Sequence, residues 1–263
     1  MDLQLNGKVA AVAAASQGLG FACALELARE GGRVGICSRS EANLGAAAER
    51  ITGETGAEVF THVTDVSDTG AAAGFVNAVA GNLGGVDILV TNAGGPPPGG
   101  YADVDTEKLE RGFRLTMMST IAMMQAAIPH MRRGKWGRIV NVLSITAKQP
   151  ETNLLVSNTM RAGLVGYTKS VSQELAADNV LVNNVAPGYT RTERLDELAT
   201  SLAKTNRQST EEVYAGWEEH IPMRRLGRPE ELGRVVAFLS SEAASYVTGV
   251  TIQVDGGFVK GLL

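Results

Sequence analysis

The chain has little cysteine, little histidine and no excess of basic charge. Its two cysteines, Cys23 and Cys37, fall in a helical and a strand segment that both read as buried. They are expected as small core hydrophobes in a reducing compartment, not as a disulfide. The three histidines, His62, His130 and His220, are scattered over different elements and suggest no catalytic triad. With no Cys/His spacing of the zinc type either, no metal site is expected. A net charge of −4 argues against nucleic acid or an anionic membrane as the main partner. No apolar run is long enough to span a bilayer. Met1–Gln4 contains no basic region leading into an apolar run, so the expectation is no secretory signal and a cytoplasmic location. Repeats and low-complexity linkers are missing too. Pro96-Pro97-Pro98-Gly99-Gly100 reads as a stiff loop, because strand and helix patterns continue on both sides of it.

What is present is an ordinary globular composition, 44% hydrophobic and 20% charged over 263 residues, enough for one α/β domain spanning 1–263. Valine- and isoleucine-rich runs predict strands near Val9–Ala13, Arg33–Ser38, Glu58–Val63, Asp87–Thr91, Arg138–Leu143, Leu181–Ala186 and Thr251–Val254. Helical patterns fall between them, near Gly20–Glu30, Ala42–Thr52, Gly70–Asn82, Thr106–Arg132, Leu154–Ala177 and Pro229–Ser240. The strand runs are continuously apolar, as expected where both faces are covered. The alternation predicts an α/β fold: a single Rossmann-type, doubly wound parallel sheet with helices on both faces. The charged segment from about 190 to 228 interrupts the alternation with two short helical patterns and is the candidate substrate lid.

The apolar run Lys8–Ala14 is followed by Ser16-Gln17-Gly18-Leu19-Gly20 and then a helical pattern. A strand, a turn nearly free of side chains and a helix start make a phosphate site, since first-turn amides point at negative charge. Strand two ends in Ser38-Arg39, where this fold commonly places an acidic residue that bonds the adenosine ribose. A serine followed by an arginine suits a 2′-phosphate instead, which favours NADP(H) over NAD(H). Asp65-Val66 closes strand three, where a carboxylate can accept from the adenine amino group, and Asn92-Ala93-Gly94 closes strand four, leaving room for a ribose.

Taken in order, Gly18-Leu19-Gly20, Asn92-Ala93-Gly94, Ser144, Asn183-Asn184-Val185-Ala186-Pro187-Gly188, Pro222–Glu231 and Val254-Asp255-Gly256-Gly257 resemble the short-chain dehydrogenase/reductase family. The likeness is greatest to its 3-oxoacyl-acyl-carrier-protein reductase-like members and covers essentially the whole chain. It implies hydride transfer between a nicotinamide and a carbonyl or alcohol, and a homotetramer built on the two long helices. The cluster Met117, Met118, Met123 and Met124 and the tail from Phe258 suit such interfaces. Pro187, Gly188, Thr190 and Thr192 are placed by the same likeness near the nicotinamide. The family's opening Thr-Gly is Ala13-Ala14 here, which requires a negative φ at Ala14.

The catalytic positions depart from the family. Ser144 matches its serine, but the tyrosine place holds Ser157, the lysine place Arg161 and the asparagine place Thr116. A serine hydroxyl is a far weaker acid than a phenol, and an arginine relays no proton. Arg161 still offers donors to ribose hydroxyls or substrate and a positive charge. Ser157 is expected to hold a water, or to be only a polar residue at a helix start. Replacement proton donors are sought in Lys148 and Tyr189. The competing expectation is a nucleotide-binding sensor or scaffold that kept the fold and lost turnover.

Overall fold

In the computed structural model, which describes residues 2–262, Val9–Val12 forms β1 and its four residues are wholly buried. The chain continues through α1 (Gly18–Arg29), β2 (Arg33–Ser38), α2 (Glu41–Thr55), β3 (Val59–Val63), α3 (Thr69–Leu83) and β4 (Ile88–Thr91). Next come α4 (Thr106–Gly112), a π-helical segment (Phe113–Met118), α5 (Ser119–Gly134), β5 (Gly137–Val142), α6 (Leu155–Leu175) and β6 (Val180–Pro187). The chain closes with α7 (Glu193–Asn206), α8 (Thr210–His220), α9 (Pro229–Leu239) and β7 (Thr251–Val254). The seven strands form one sheet in the order β3-β2-β1-β4-β5-β6-β7, and every pairing is parallel.

Successive side chains of a strand point to opposite faces, and here both faces are packed. Ala10, Val12, Val34 and Ile36 meet α1, α2 and α9 on one side. Val9, Ala11, Leu89 and Ile139 meet α3, α5 and α6 on the other. The order of connection reverses between β1 and β4, which opens a crevice beyond the carboxyl ends of the strands, the place where this architecture binds ligands.

Cys23 and Cys37 are buried free thiols on different elements, and burial raises both to about 12. Among the described residues no helix is long and apolar enough to cross a membrane. The single helix expected over Thr106–Arg132 is instead α4, the π-helical segment and α5 in continuous succession. Met123 and Met124 are fully buried in the core against the sheet, so half of the expected interface cluster is core packing. Ala14 corrects another expectation: its φ is +49°. The turn leaving β1 must present the Ala14 carbonyl to Asn92 Nδ2 at 3.3 Å, and that demands left-handed backbone despite the methyl group.

Candidate functional site

The helix start that follows β1 is marked by what α1 lacks. Helices α2, α3, α4, α7 and α8 are each capped by a side chain, from Ser40, Asp68, Asp105, Thr192 and Ser209 respectively. At α1, Gln17 provides no capping bond and the first turn holds no acidic residue, so the leading amides keep their hydrogen-bonding capacity for a ligand. Glycine is obligatory at position 20, because a Cβ there would stand 2.2 Å from the Ala14 carbonyl oxygen. Ser16 sits in the preceding turn and is half-buried.

Beside this turn lies a cavity of about 630 Å³ that gathers Gln17, Ser38, Arg39, Asp65, Val66 and Gly94. Arg39 is exposed and, among the described residues, forms no ion pair. Asp65 accepts from both the amide and the hydroxyl of Ser67, at 2.9 and 2.8 Å, which with the Arg39 charge holds its carboxyl below the usual range. Ser38 spends its proton on the Ser40 carbonyl at 3.1 Å. Asn92 serves the strand ends through its bond to Ala14, and Ala93 packs against the core. The opposite wall carries Arg111 and Arg114, which sequence reasoning did not single out. Their place depends on how α4 and the π-helical segment lie over the sheet, and no local pattern reports that.

A second cavity, of about 210 Å³, opens along the same sheet edge. Ser144, Leu19, Pro187, Gly188, Tyr189, Thr190 and Thr192 line it, as does Glu151, which the sequence did not mark. Ser144 caps a short 3-10 turn, Ile145–Ala147, and its Oγ accepts from the Thr146 amide at 3.2 Å. Lys148 follows that turn and is not among the residues around this cavity. Tyr189 stacks on Trp217 with ring centroids 5.2 Å apart and meets the edge of Phe258 at 5.4 Å. Burial first, and then the charge of Glu151, push its phenol above the usual value of about 10.

Ser157 and Arg161 lie one turn apart on α6, as i, i+4 neighbours must. Ser157 is buried, its Oγ 3.0 Å from Thr146 Oγ1 and receiving a 2.5 Å bond from Arg161 Nη1. Arg161 Nε is enclosed without a partner, and burial alone pulls the guanidinium down to about 10. Thr116 Oγ1 is likewise enclosed and, among the described residues, unpartnered; it lies in the π-helical segment, which meets α6 where Met117 approaches Gly163, just after Gly112 at the end of α4 approaches Val156. The structure therefore gathers Ser144, Thr146, Glu151 and Tyr189 around one cavity, with the Ser157–Arg161 pair behind Thr146 and Lys148 outside it.

Residues 13–259 match the family model described as enoyl-(acyl carrier protein) reductase. The chain is 34% identical to the 3-oxoacyl-(acyl-carrier-protein) reductase FabG of Aquifex aeolicus, over 98% of this chain and 99% of that one. L-sorbose reductase from Gluconobacter frateurii, solved with NADPH and L-sorbose, superposes with a TM-score of 0.95 at 32% identity over 100% of both chains. An NADPH-bound short chain oxidoreductase from Pseudomonas aeruginosa PAO1, described as containing an atypical catalytic center, superposes with a TM-score of 0.84 at 29% identity over 97% of each chain.

Proposed function

This chain belongs to the short-chain dehydrogenase/reductase family, and from that premise we propose an NADP(H)-dependent oxidoreductase that interconverts a carbonyl and an alcohol, a 3-oxoacyl compound among the candidates, with a non-standard proton donor. One observation carries the reading. The unpaired Arg39 guanidinium stands at a large cavity beside an uncapped helix start, while Ser144 lines a second cavity along the same sheet edge. The NADPH carried by L-sorbose reductase and by the Pseudomonas aeruginosa oxidoreductase supports the same cofactor here.

The residues fit such a cofactor. The first-turn amides at Gly18, Leu19 and Gly20 take the pyrophosphate. Arg39, with Ser38 beside it, takes the 2′-phosphate, and Asp65 and Val66 border the adenine. Gly94, behind Asn92 and Ala93, leaves space for a ribose, and Pro187, Gly188, Thr190 and Thr192 border the nicotinamide. When bound, the reduced dinucleotide supplies two electrons and one hydrogen to the carbonyl carbon. Ser144 donates to the substrate oxygen, and the Arg161 cation lowers the cost of negative charge developing there. Thr190–Arg228 closes over the substrate as a lid. Its two ends are tied together by Arg191 N to Gly227 O and Gly227 N to Tyr189 O, both 2.9 Å.

Calorimetric titration tests the cofactor half. Arg39→Ala is expected to raise the Kd for NADPH about 10- to 100-fold, the range of a lost charge-assisted bond pair, while the Kd for NADH moves less than about threefold. Ser144→Ala is expected to lower kcat/KM about 100-fold on a carbonyl substrate, the effect of one lost oxyanion donor. Unaltered NADPH affinity in Arg39→Ala would refute the placement. Tight NADPH binding with no consumption across ketones, aldehydes and 3-oxoacyl thioesters would leave a nucleotide-binding member without turnover.

A further inference from the structure

With Ser157 and Arg161 in the tyrosine and lysine places, the chain needs another group to carry the proton of the carbonyl–alcohol step, and we propose that Glu151 is that group. This inference rests on the oxidoreductase reading above and names the residue that completes it.

The Ser157 hydroxyl is enclosed and engaged by Thr146 and Arg161. Lys148 is absent from the Ser144 cavity wall. Tyr189 does line it, but its ring is clamped between Trp217 and Phe258. Glu151 is the one carboxylate bordering the same cavity as Ser144 among the described residues. Its backbone is pinned at both ends to one side chain: the Glu151 amide donates to Asn158 Oδ1 at 3.3 Å, and Asn158 Nδ2 donates to the Glu151 carbonyl at 2.9 Å. The residue is thus held at the rim while its carboxylate, which accepts no hydrogen bond from any described residue, stays available to a substrate. The remaining lining is largely apolar, with Leu19, Leu154, Leu195 and Leu198, so a carboxylate beside bound substrate is partly stripped of water. That is a setting in which carboxylates serve as general acids and bases.

The balance is simple. In reduction, the carbonyl carbon gains a C–H bond with two electrons from the reduced dinucleotide. The C=O π pair moves to oxygen, which takes the proton released by the Glu151 carboxylic acid, and solvent then reprotonates the carboxylate. In oxidation the Glu151 carboxylate removes the alcohol proton as the carbon gives up its hydrogen and electron pair to the oxidised dinucleotide. Reduction therefore draws on the protonated side chain and oxidation on the carboxylate, so the two directions are expected to depend on pH with opposite sign. Tyr189 and Arg194 are the other charged or titratable groups of the Ser144 cavity, and Glu151 also borders a cavity of about 400 Å³ with Tyr189, Glu212 and His220.

The test is Glu151→Gln, isosteric and without a titrating proton, beside Glu151→Asp, assayed over pH with NADPH affinity measured in parallel. The expected result is unchanged NADPH affinity, kcat down at least about 100-fold in Glu151→Gln, loss of the pH limb, and partial recovery of both in Glu151→Asp. Wild-type rates and an unaltered pH limb in Glu151→Gln would overturn the role of Glu151 and leave the oxidoreductase reading standing. A wild-type protein that binds NADPH but reduces no carbonyl at any pH would overturn both.

Discussion

Ala14 holds a φ of +49°, a conformation that costs an L-residue about 1–2 kcal/mol and glycine almost nothing. The turn is over-determined: β1 must end there, the Ala14 carbonyl is held by Asn92, and Gly20 presses against that same carbonyl. Strain of this kind persists where a ligand site fixes the backbone, and Ala14 borders the proposed cofactor cavity. Ala14→Gly is therefore expected to stabilise the protein. The gain is the relieved strain less the extra freedom glycine has in the unfolded chain, a net of roughly 0.5–1 kcal/mol. Urea denaturation should show a higher midpoint at constant slope. An unchanged or lower midpoint would mean that the alanine is accommodated without strain.

Two elements flank the site, and each has a charge that decides how it behaves. Helix α9 begins where the 190–228 segment returns to the sheet, and Glu231 fastens that return. Its carboxylate receives both Arg225 terminal nitrogens, at 2.8 and 2.7 Å, and the Arg228 amide at 2.8 Å. These partners, led by the Arg225 side chain, hold the carboxyl at about 2. A carboxylate depressed in the folded state binds fewer protons than its unfolded counterpart, so its stabilisation is complete above a pH of about 4.3 and disappears as pH falls towards 2. Acid titration of stability should accordingly be flatter over that window in Glu231→Gln than in the native chain. At the other end of the segment, α7 sets the exposed Glu193 over the glycine turn, its Oε2 3.5 Å from where a Cβ on Gly18 would lie. A carboxylate so near the proposed pyrophosphate repels it. Glu193→Gln is expected to tighten NADPH about threefold, within the range of exposed charge interactions, with the gain fading at high salt. Equal affinities at low salt would show that α7 swings clear of the turn when cofactor binds.

At the scale of the whole molecule, sequence order proved more legible than surface placement. Continuous apolar runs located all seven strands to within about a residue, because a parallel sheet covered on both faces leaves no other reading of such runs. That Arg39 and Asp65 border the larger cavity was legible for a related reason: they sit one and two residues past strand ends, and strand ends face the crevice. Arg111, Arg114 and Glu151 were not, since they reach the cavities from a helix and a loop whose orientation only tertiary packing fixes. The π-helical turn at Phe113–Met118 was invisible because apolar spacing of three and four residues tolerates one wider turn. The same limit applies to assembly. The methionine cluster splits, with Met123 and Met124 in the core and Met117 and Met118 half-buried, so only the latter two are open to a subunit contact. Stronger support comes from large apolar side chains left open in one chain: Tyr246 at 103%, Leu262 at 102% and Tyr101 at 93% of full exposure. Aromatic side chains are enriched in subunit contacts, and Tyr101 and Tyr246 are of that kind. We propose a homotetramer, and light scattering is expected to give four times the 27.6 kDa chain mass. Tyr246→Asp should then lower the mass by placing a charge in an apolar contact, whereas a wild-type mass of one chain would refute the assembly outright.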